Sequence, residues 1–344
     1  MAHILVQGIG GVGGLLAGEL LRAGAELTLV TGNPTITAAI NRNGIAISTP
    51  DDSFQVAASA STALTDLPPE QSFDCAYLAM MAGGAVDAAR AASPLLRDNA
   101  YFVAFQNGFV EEAIGNAVGN ERVISATVAL GSSMEAPGIY RRTTAGRIII
   151  GEMDGRRSQR LDRLRSTLSH VVDTEVSRNI VGVLWGKLVW NGAVSCLCAI
   201  SGKLLGELFD CEVGRELFFL AFRESVDTAT AQGVDIEPVI VDPRDYYLAP
   251  SDSVSRRDEI LERLAMFVEM YAGVTPSTLE SLKRGRKSEI DFLNGYILEK
   301  ANASGIKLLL NEAVIKMVHE IEAGSRTIDP GNLDELYAAL SDPN

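Results

Sequence analysis

Lys187, Asn191 and Ser195 are the residues of this chain that most invite a chemical interpretation. Their i, i+4, i+8 spacing sets them along one face of a helix. The surrounding stretch, residues 179–208, is otherwise apolar or small. Val181, Val183, Leu184, Trp185, Leu188, Val189, Trp190, Val194, Leu197 and Ile200 point in all directions around such a helix, which predicts a buried element rather than an amphipathic one. A lysine in a buried helix is costly unless it is paired or faces a wet cleft. It either snorkels to the surface along its own stem or lines an active site. In the second case a cation aimed at a substrate oxygen stabilises negative charge that builds there and can protonate it. Desolvation would ease release of that proton.

Three further polar positions stand out. Asn107 follows an apolar strand, where ligands gather at the carboxyl ends of a parallel sheet, although Asn-Gly also makes ordinary turns. Ser277 follows Thr275-Pro276, a good helix start, where it could equally be a simple cap. Glu289 lies beside the stripe Leu279, Leu282, Ile290, Leu293 and Ile297, at a margin where an acid can also be merely solvated. The histidines are only His3, His170 and His319, so neither a histidine metal site nor a histidine base is expected, and no metal is. The cysteines Cys75, Cys196, Cys198 and Cys211 have no zinc-type spacing and are expected to be buried free thiols in a reducing, cytoplasmic setting.

These side chains need a frame. Ile4-Leu5-Val6-Gln7 is a strand, Gly14 to Leu21 has helical spacing, and Leu27-Thr28-Leu29-Val30 is a second strand. Between the first strand and the helix runs Gly8-Ile9-Gly10-Gly11-Val12-Gly13, the Gly-x-Gly-x-x-Gly of a dinucleotide turn. Gly8 allows the tight turn, Gly10 lets a pyrophosphate approach, and Gly13 lets helix and strand pack. The helix N-terminus offers N–H groups to phosphate. The residue that reads the ribose should follow the second strand, an acid for NAD or a nearby arginine for NADP. Thr31-Gly32-Asn33 is neither, and Arg42 is expected a helix away, so the cofactor is NADP or NAD. Thr31 and Asn33, with Met80 after a later strand, are expected cofactor contacts beside Gly8 to Gly13 and Asn107.

Further strands are predicted at 75–80, 101–105, 123–130, 147–150 and 171–176, with a hairpin insert at 45–47 and 54–57. Residues 85–96 are expected helical. Alternation of this kind implies a parallel sheet covered on both faces. After residue 178 the pattern is helical, over roughly 179–205, 212–232, 256–272, 276–303 and 309–322. The fold class is therefore α/β, a Rossmann-type doubly wound sheet over 1–177 and an all-helical domain over 178–344. A length of 344 residues suits two domains. The formal charge of −14 argues against nucleic acid or an anionic membrane as partner. Lys187 interrupts the best apolar run, so no spanning helix is expected, and no signal peptide is read at the start.

Taken together, these motifs resemble the ketopantoate reductase (2-dehydropantoate 2-reductase) family over roughly residues 3–322. The resemblance rests on the glycine motif, Gln106-Asn107-Gly108, Trp185-Gly186-Lys187-Leu188-Val189-Trp190-Asn191, and Pro276-Ser277-Thr278-Leu279 running on to Ser288-Glu289-Ile290-Asp291. Gly305-Ile306 with Asn311 fits the closing segment. It implies an active site between a Rossmann and a helical domain, with Lys187 as catalytic lysine and Glu289 as its acidic partner. It implies substrate contacts from Asn191, Ser195, Ser277 and Asn107, the last beside the nicotinamide. The implied reaction is NAD(P)-dependent reduction of a 2-oxo acid to the 2-hydroxy acid, as in pantothenate biosynthesis, with a homodimer left open. Three positions depart from the family pattern: Met81 stands for a lysine, Gly32 for an arginine and Ser195 for a second asparagine. Two rivals follow. One is a dehydrogenase of the same fold oxidising another secondary alcohol or hydroxy acid. The other is a non-enzymatic NAD(P) sensor, against which the joint presence of Lys187, Asn191 and Glu289 speaks.

Overall fold

Strands that are apolar at nearly every position need cover on both faces, and the first half of the chain supplies it. The computed structural model describes residues 2–271 and 275–341. It comprises two units that meet in sequence between Ile180 and Val181. The first contains β1 (His3–Gln7), α1 (Gly11–Arg22), β2 (Glu26–Val30), α2 (Pro34–Asn43), β3 (Ile45–Ser48), β4 (Ser53–Val56), β5 (Ala60–Ser61), β6 (Phe73–Leu78), α3 (Ala82–Ala92), β7 (Leu96–Ala104), α4 (Glu111–Val118), β8 (Val123–Ala129), β9 (Ser132–Ala136), β10 (Ile139–Arg142), β11 (Arg147–Glu152), α5 (Gln159–Leu168) and β12 (Thr174–Val176). Eight strands form one sheet in the order β12-β11-β8-β7-β6-β1-β2-β5, parallel except where β11 meets β8.

Strand residues alternate between faces. Ile4 and Val6 of β1 join Leu15, Leu16 and Leu20 of α1 and Leu161, Leu164 and Leu168 of α5 in one buried core. Gln7, on the opposite face, donates from Nε2 to Ala88 O of α3 at 3.3 Å. Helices therefore cover both sides, the doubly wound arrangement expected. The expected hairpin at β3 and β4 is present, but it belongs to a second sheet, β4-β3-β10-β9, whose β9–β10 half the sequence pattern did not reveal. This small sheet packs on α1. Gly18 gives way to Ile47, and Gly14 to the fully buried Tyr140, whose ring carbon would lie 2.1 Å from a Cβ at position 14.

Among the second unit's described residues every regular element is a helix: α6 (Ile180–Ser201), α7 (Leu205–Asp210), α8 (Glu212–Ala231), α9 (Pro243–Tyr246), α10 (Val254–Tyr271), α11 (Ser277–Lys283), α12 (Asn294–Ala303), α13 (Leu309–Glu322) and α14 (Gly331–Ser341). Two expectations are corrected. The helix predicted to run to 205 ends at Ser201, because Gly202 takes a positive φ of 74° and turns the chain into α7. The helix predicted over 276–303 is two helices, because Gly285, at φ 63°, stops α11 and the chain resumes as α12 only at Asn294. Position 272, the predicted end of the 256–272 helix, lies outside the described residues.

α6 is the one described helix long and apolar enough to cross a membrane, yet 89% of its apolar window is buried inside the protein. It is a core helix. Trp190 meets Phe267, Phe218, Tyr246 and Phe222 edge-on at 4.4, 5.8, 5.8 and 6.4 Å between ring centres, and Trp185 meets Tyr296 at 5.8 Å. Such pairs add about 0.5–1.5 kcal/mol each beyond the area they bury.

Gly14→Ala tests the packing of the small sheet on α1. Its methyl overlaps the Tyr140 ring, and overpacking of this kind costs about 1–3 kcal/mol. The first unit's denaturation midpoint should fall, and an unchanged midpoint would show that the ring yields freely.

Candidate functional site

The carboxyl end of β1 is shaped by its glycines. Gly8 has φ 87°, and a Cβ there would sit 2.6 Å from Met80 N. A Cβ on Gly13 would lie 1.9 Å from Gly8 O, so the start of α1 can close on the strand only without one. At Gly10 a Cβ meets nothing within 4 Å, which leaves open space where a pyrophosphate would approach. Gly10 caps α1 with no side chain and no acid follows in the first turn, so the positive end of the helix faces that space uncompensated. The loop fits a dinucleotide.

Two residues that pattern alone did not single out hold this loop. Tyr140 donates its hydroxyl to Ile9 O at 3.0 Å, and Ser132 donates to Gly11 O at 2.6 Å. Both come from the β9–β10 hairpin, about 120 to 130 residues downstream. With these two carbonyls held by hydroxyl donors, the course of the loop is fixed.

Around the loop stand the other expected cofactor positions. Met80 follows β6, where its amide abuts Gly8. Thr31 is buried and Asn33 exposed at the end of β2. Arg42 lies in the last turn of α2, a helix away as expected. Asn107 is half-buried just beyond β7, in a turn completed by Gly108 at φ 82°. Its neighbour Gln106 does the stapling: buried, it donates from Nε2 to Leu78 O at 2.8 Å and Met80 O at 3.1 Å, tying the end of β7 to the end of β6. Behind it, fully buried Glu111 accepts from Ser125 Oγ at 2.5 Å and Val110 N at 3.0 Å. Burial pushes its carboxyl up, and those two donors pull it part of the way back.

In the second unit, Lys187, Asn191 and Ser195 lie on one continuous helix, α6. Lys187 and Asn191 are half-buried and Ser195 is 8% exposed, while every other α6 residue except Val181 is buried. Gly186 is required by the crossing of the 232–242 segment, since a Cβ there would meet Glu237 O at 1.9 Å. Ser277 begins α11, half-buried, and its neighbour Thr278 is buried at 1% with no partner for Oγ1 among the described residues.

Glu289 is not on a helix face, as the stripe suggested, but in the connection between α11 and α12 at the start of a 3-10 turn, buried to 4% exposure. Its flanks fix it. Ser288 donates from N and Oγ to Glu322 at 2.7 Å each, and Asp291 pairs with His319 at 2.9 Å, so both are fastened to α13. Downstream, buried Asn294 donates to Gly192 O of α6 at 2.8 Å and to Asn311 Oδ1 at 2.9 Å. Asn311 in turn donates from Nδ2 and N to Glu224, whose carboxyl burial raises and Asn311 lowers. This chain of bonds anchors the segment after Glu289 one residue beyond Asn191.

The cysteines are free thiols, but Cys211 is half-buried rather than buried, because it sits at the surface turn between α7 and α8. Burial pushes Cys75, Cys196 and Cys198 up to about 12, which makes them unreactive packing groups. Among the described residues no three histidines, cysteines or carboxylates gather as a metal site.

Two family models match the chain. Residues 4–155 match the family model described as ketopantoate reductase PanE/ApbA, and residues 179–322 match that for its C-terminal part. The 2-dehydropantoate 2-reductase of Pyrococcus horikoshii is 25% identical, covering 94% of this chain and 99% of its own length. That of Aquifex aeolicus is 26% identical, with 91% and 95% covered. Among solved structures, the PanE/ApbA family ketopantoate reductase of Ralstonia eutropha superposes with a TM-score of 0.79 at 26% identity, covering 94% of this chain and 99% of that one. D-mandelate dehydrogenase, solved with NADH and anilino(oxo)acetate, reaches the same TM-score at 18% identity over 94% and 98%. With both family models matched in order along one chain, this protein belongs to the ketopantoate reductase family, oxidoreductases that act on a CH–OH group with a nicotinamide cofactor.

Proposed function

We propose that this protein reduces a 2-oxo acid, ketopantoate or a close relative, to its 2-hydroxy acid, with Lys187 as the proton donor. The observation that carries the proposal is the placement of Lys187 and Asn191, the two polar side chains that reach partial exposure along an otherwise buried helix. A cation set into such a helix is tolerated where it is paired or faces a wet cleft, and a cleft is where a proton donor belongs.

When bound, a reduced nicotinamide supplies the hydride. Gly8 to Gly13 and the start of α1 hold the pyrophosphate, and Asn107 orients the nicotinamide end. Asn191, Ser195 and Ser277 hold the substrate's carboxylate and hydroxyl oxygens. As the carbonyl carbon accepts hydride, the Lys187 ammonium stabilises the growing charge on oxygen and passes its proton there. Glu289 fixes the lysine or accepts from a substrate hydroxyl. The reaction runs backwards with Lys187 as base. A cytoplasmic setting and a small-molecule partner, rather than nucleic acid or membrane, agree with the charge of −14 and the free thiols. Ser195 is shorter than the asparagine expected there, which favours a substrate differing from ketopantoate in the part it touches.

Loss of reduced-nicotinamide absorbance with ketopantoate and a panel of 2-oxo acids tests the reaction. Lys187→Met keeps most of the stem and removes the cation. Turnover on the best acid should fall about a hundredfold or more, with cofactor affinity and melting temperature held. Retention of more than half the turnover would show that Lys187 is not the proton donor, and unfolding would make it a structural ion-pair member whose placement says nothing about catalysis. Gly10→Asp should fold, given the open space at that Cβ. It should weaken cofactor binding at least tenfold by setting a carboxylate against the pyrophosphate, and wild-type affinity would place the cofactor elsewhere.

A further inference from the structure

The turn after β2 is where a dinucleotide's adenosine ribose lies in this architecture. Its own polar groups are already committed. Asn33 Oδ1 accepts from Thr35 N at 2.9 Å and Ile36 N at 3.3 Å, and Asn33 O accepts from Thr37 N at 3.0 Å, so the N–H donors opening α2 are satisfied within the helix cap. The Thr31 hydroxyl donates to Asn33 O at 2.8 Å and lies 2.6 Å from Thr37 Oγ1, which itself meets Thr62 Oγ1 at 3.0 Å. Gly32 N donates to Thr62 O at 3.0 Å. What remains is the Nδ2 amide of exposed Asn33, which takes part in none of these bonds.

That amide is a neutral donor. It suits a ribose hydroxyl oxygen and offers a phosphate, with a charge of about −1.5 to −2, little compensation. Arg42 is nine positions further along, about 13 Å up the helix axis at 1.5 Å per residue. On the other flank of the glycine loop, β6 ends in uncharged Met80-Met81-Ala82, with Met81 41% exposed. The chain as a whole carries −14. We infer that this enzyme takes NADH in preference to NADPH, with Asn33 reading the unphosphorylated ribose. The inference rests on the dinucleotide assignment of the Gly8 to Gly13 loop.

Titration of the full-length protein with NADH and NADPH, followed by nicotinamide fluorescence, tests it. NADH should bind at least tenfold tighter. Asn33→Arg should shift the affinity ratio toward NADPH by tenfold or more. That variant also loses the cap of α2 and melts lower, so Thr35→Arg, at an exposed position that leaves the cap intact, is its companion and should shift the ratio the same way. NADPH binding as tight as NADH in the wild type would overturn the inference while leaving the dinucleotide assignment standing. A ratio unmoved in both variants would overturn the role given to this turn. Binding of neither nucleotide would overturn the dinucleotide assignment itself.

Discussion

A helix that is buried almost all the way round has no face on which a charge can be carried without consequence. That is the condition α6 imposes on the second unit. Its Trp190 is locked edge-on by α8, α10 and Tyr246 of α9. Its glycines are spent on close approach: Gly186 to the backbone at Glu237, Gly192 to Ile297, where a Cβ would lie 2.9 Å away. A helix so tightly set cannot rotate to bring Lys187 elsewhere. Neighbouring elements are then fastened to it by buried hydrogen bonds, with Glu224, Asn311 and Asn294 in series ending on Gly192 O. Each of these groups would cost about 1–3 kcal/mol if left unpaired, so the series resists slippage. Position is what acid catalysis and charge stabilisation most need.

The first unit solves a related problem with backbone instead of side chains. Phosphate binding at a helix start requires N–H groups presented outward and a chain that bends sharply to present them. Three glycines make the bend, and Tyr140 and Ser132 hold the two carbonyls that would otherwise be free to swing. The last glycine of the run, Gly14, serves packing instead of phosphate. It makes room for the Tyr140 ring.

Lys187, Asn191 and Ser195 were legible in the sequence because a period of four cuts visibly across an apolar run, and the helix that carries them is continuous. The strand-glycine-helix-strand opening was legible for the same reason, being local. Glu289 was legible as a residue but not as a position. The apolar stripe from Leu279 to Ile297 keeps helical spacing across a break, and only the left-handed turn at Gly285 reveals it. The β9–β10 hairpin escaped because its strands are short and half-exposed, and its partner β3 lies some ninety residues earlier. Asn294 meets Gly192 across 102 residues, a pairing no local pattern encodes. What sequence periodicity misses here is consistently the second layer, the groups that hold the first.

The most direct measurement of the central claim is isotopic. The protein would be incubated with a panel of 2-oxo acids and reduced cofactor carrying deuterium at the nicotinamide C4 position from which hydride leaves, and the products weighed by mass spectrometry. Direct transfer predicts a 2-hydroxy acid that carries one deuterium on the former carbonyl carbon, formed in step with oxidised cofactor. A hydroxy acid without deuterium, or no reduction of any acid in the panel, would contradict it.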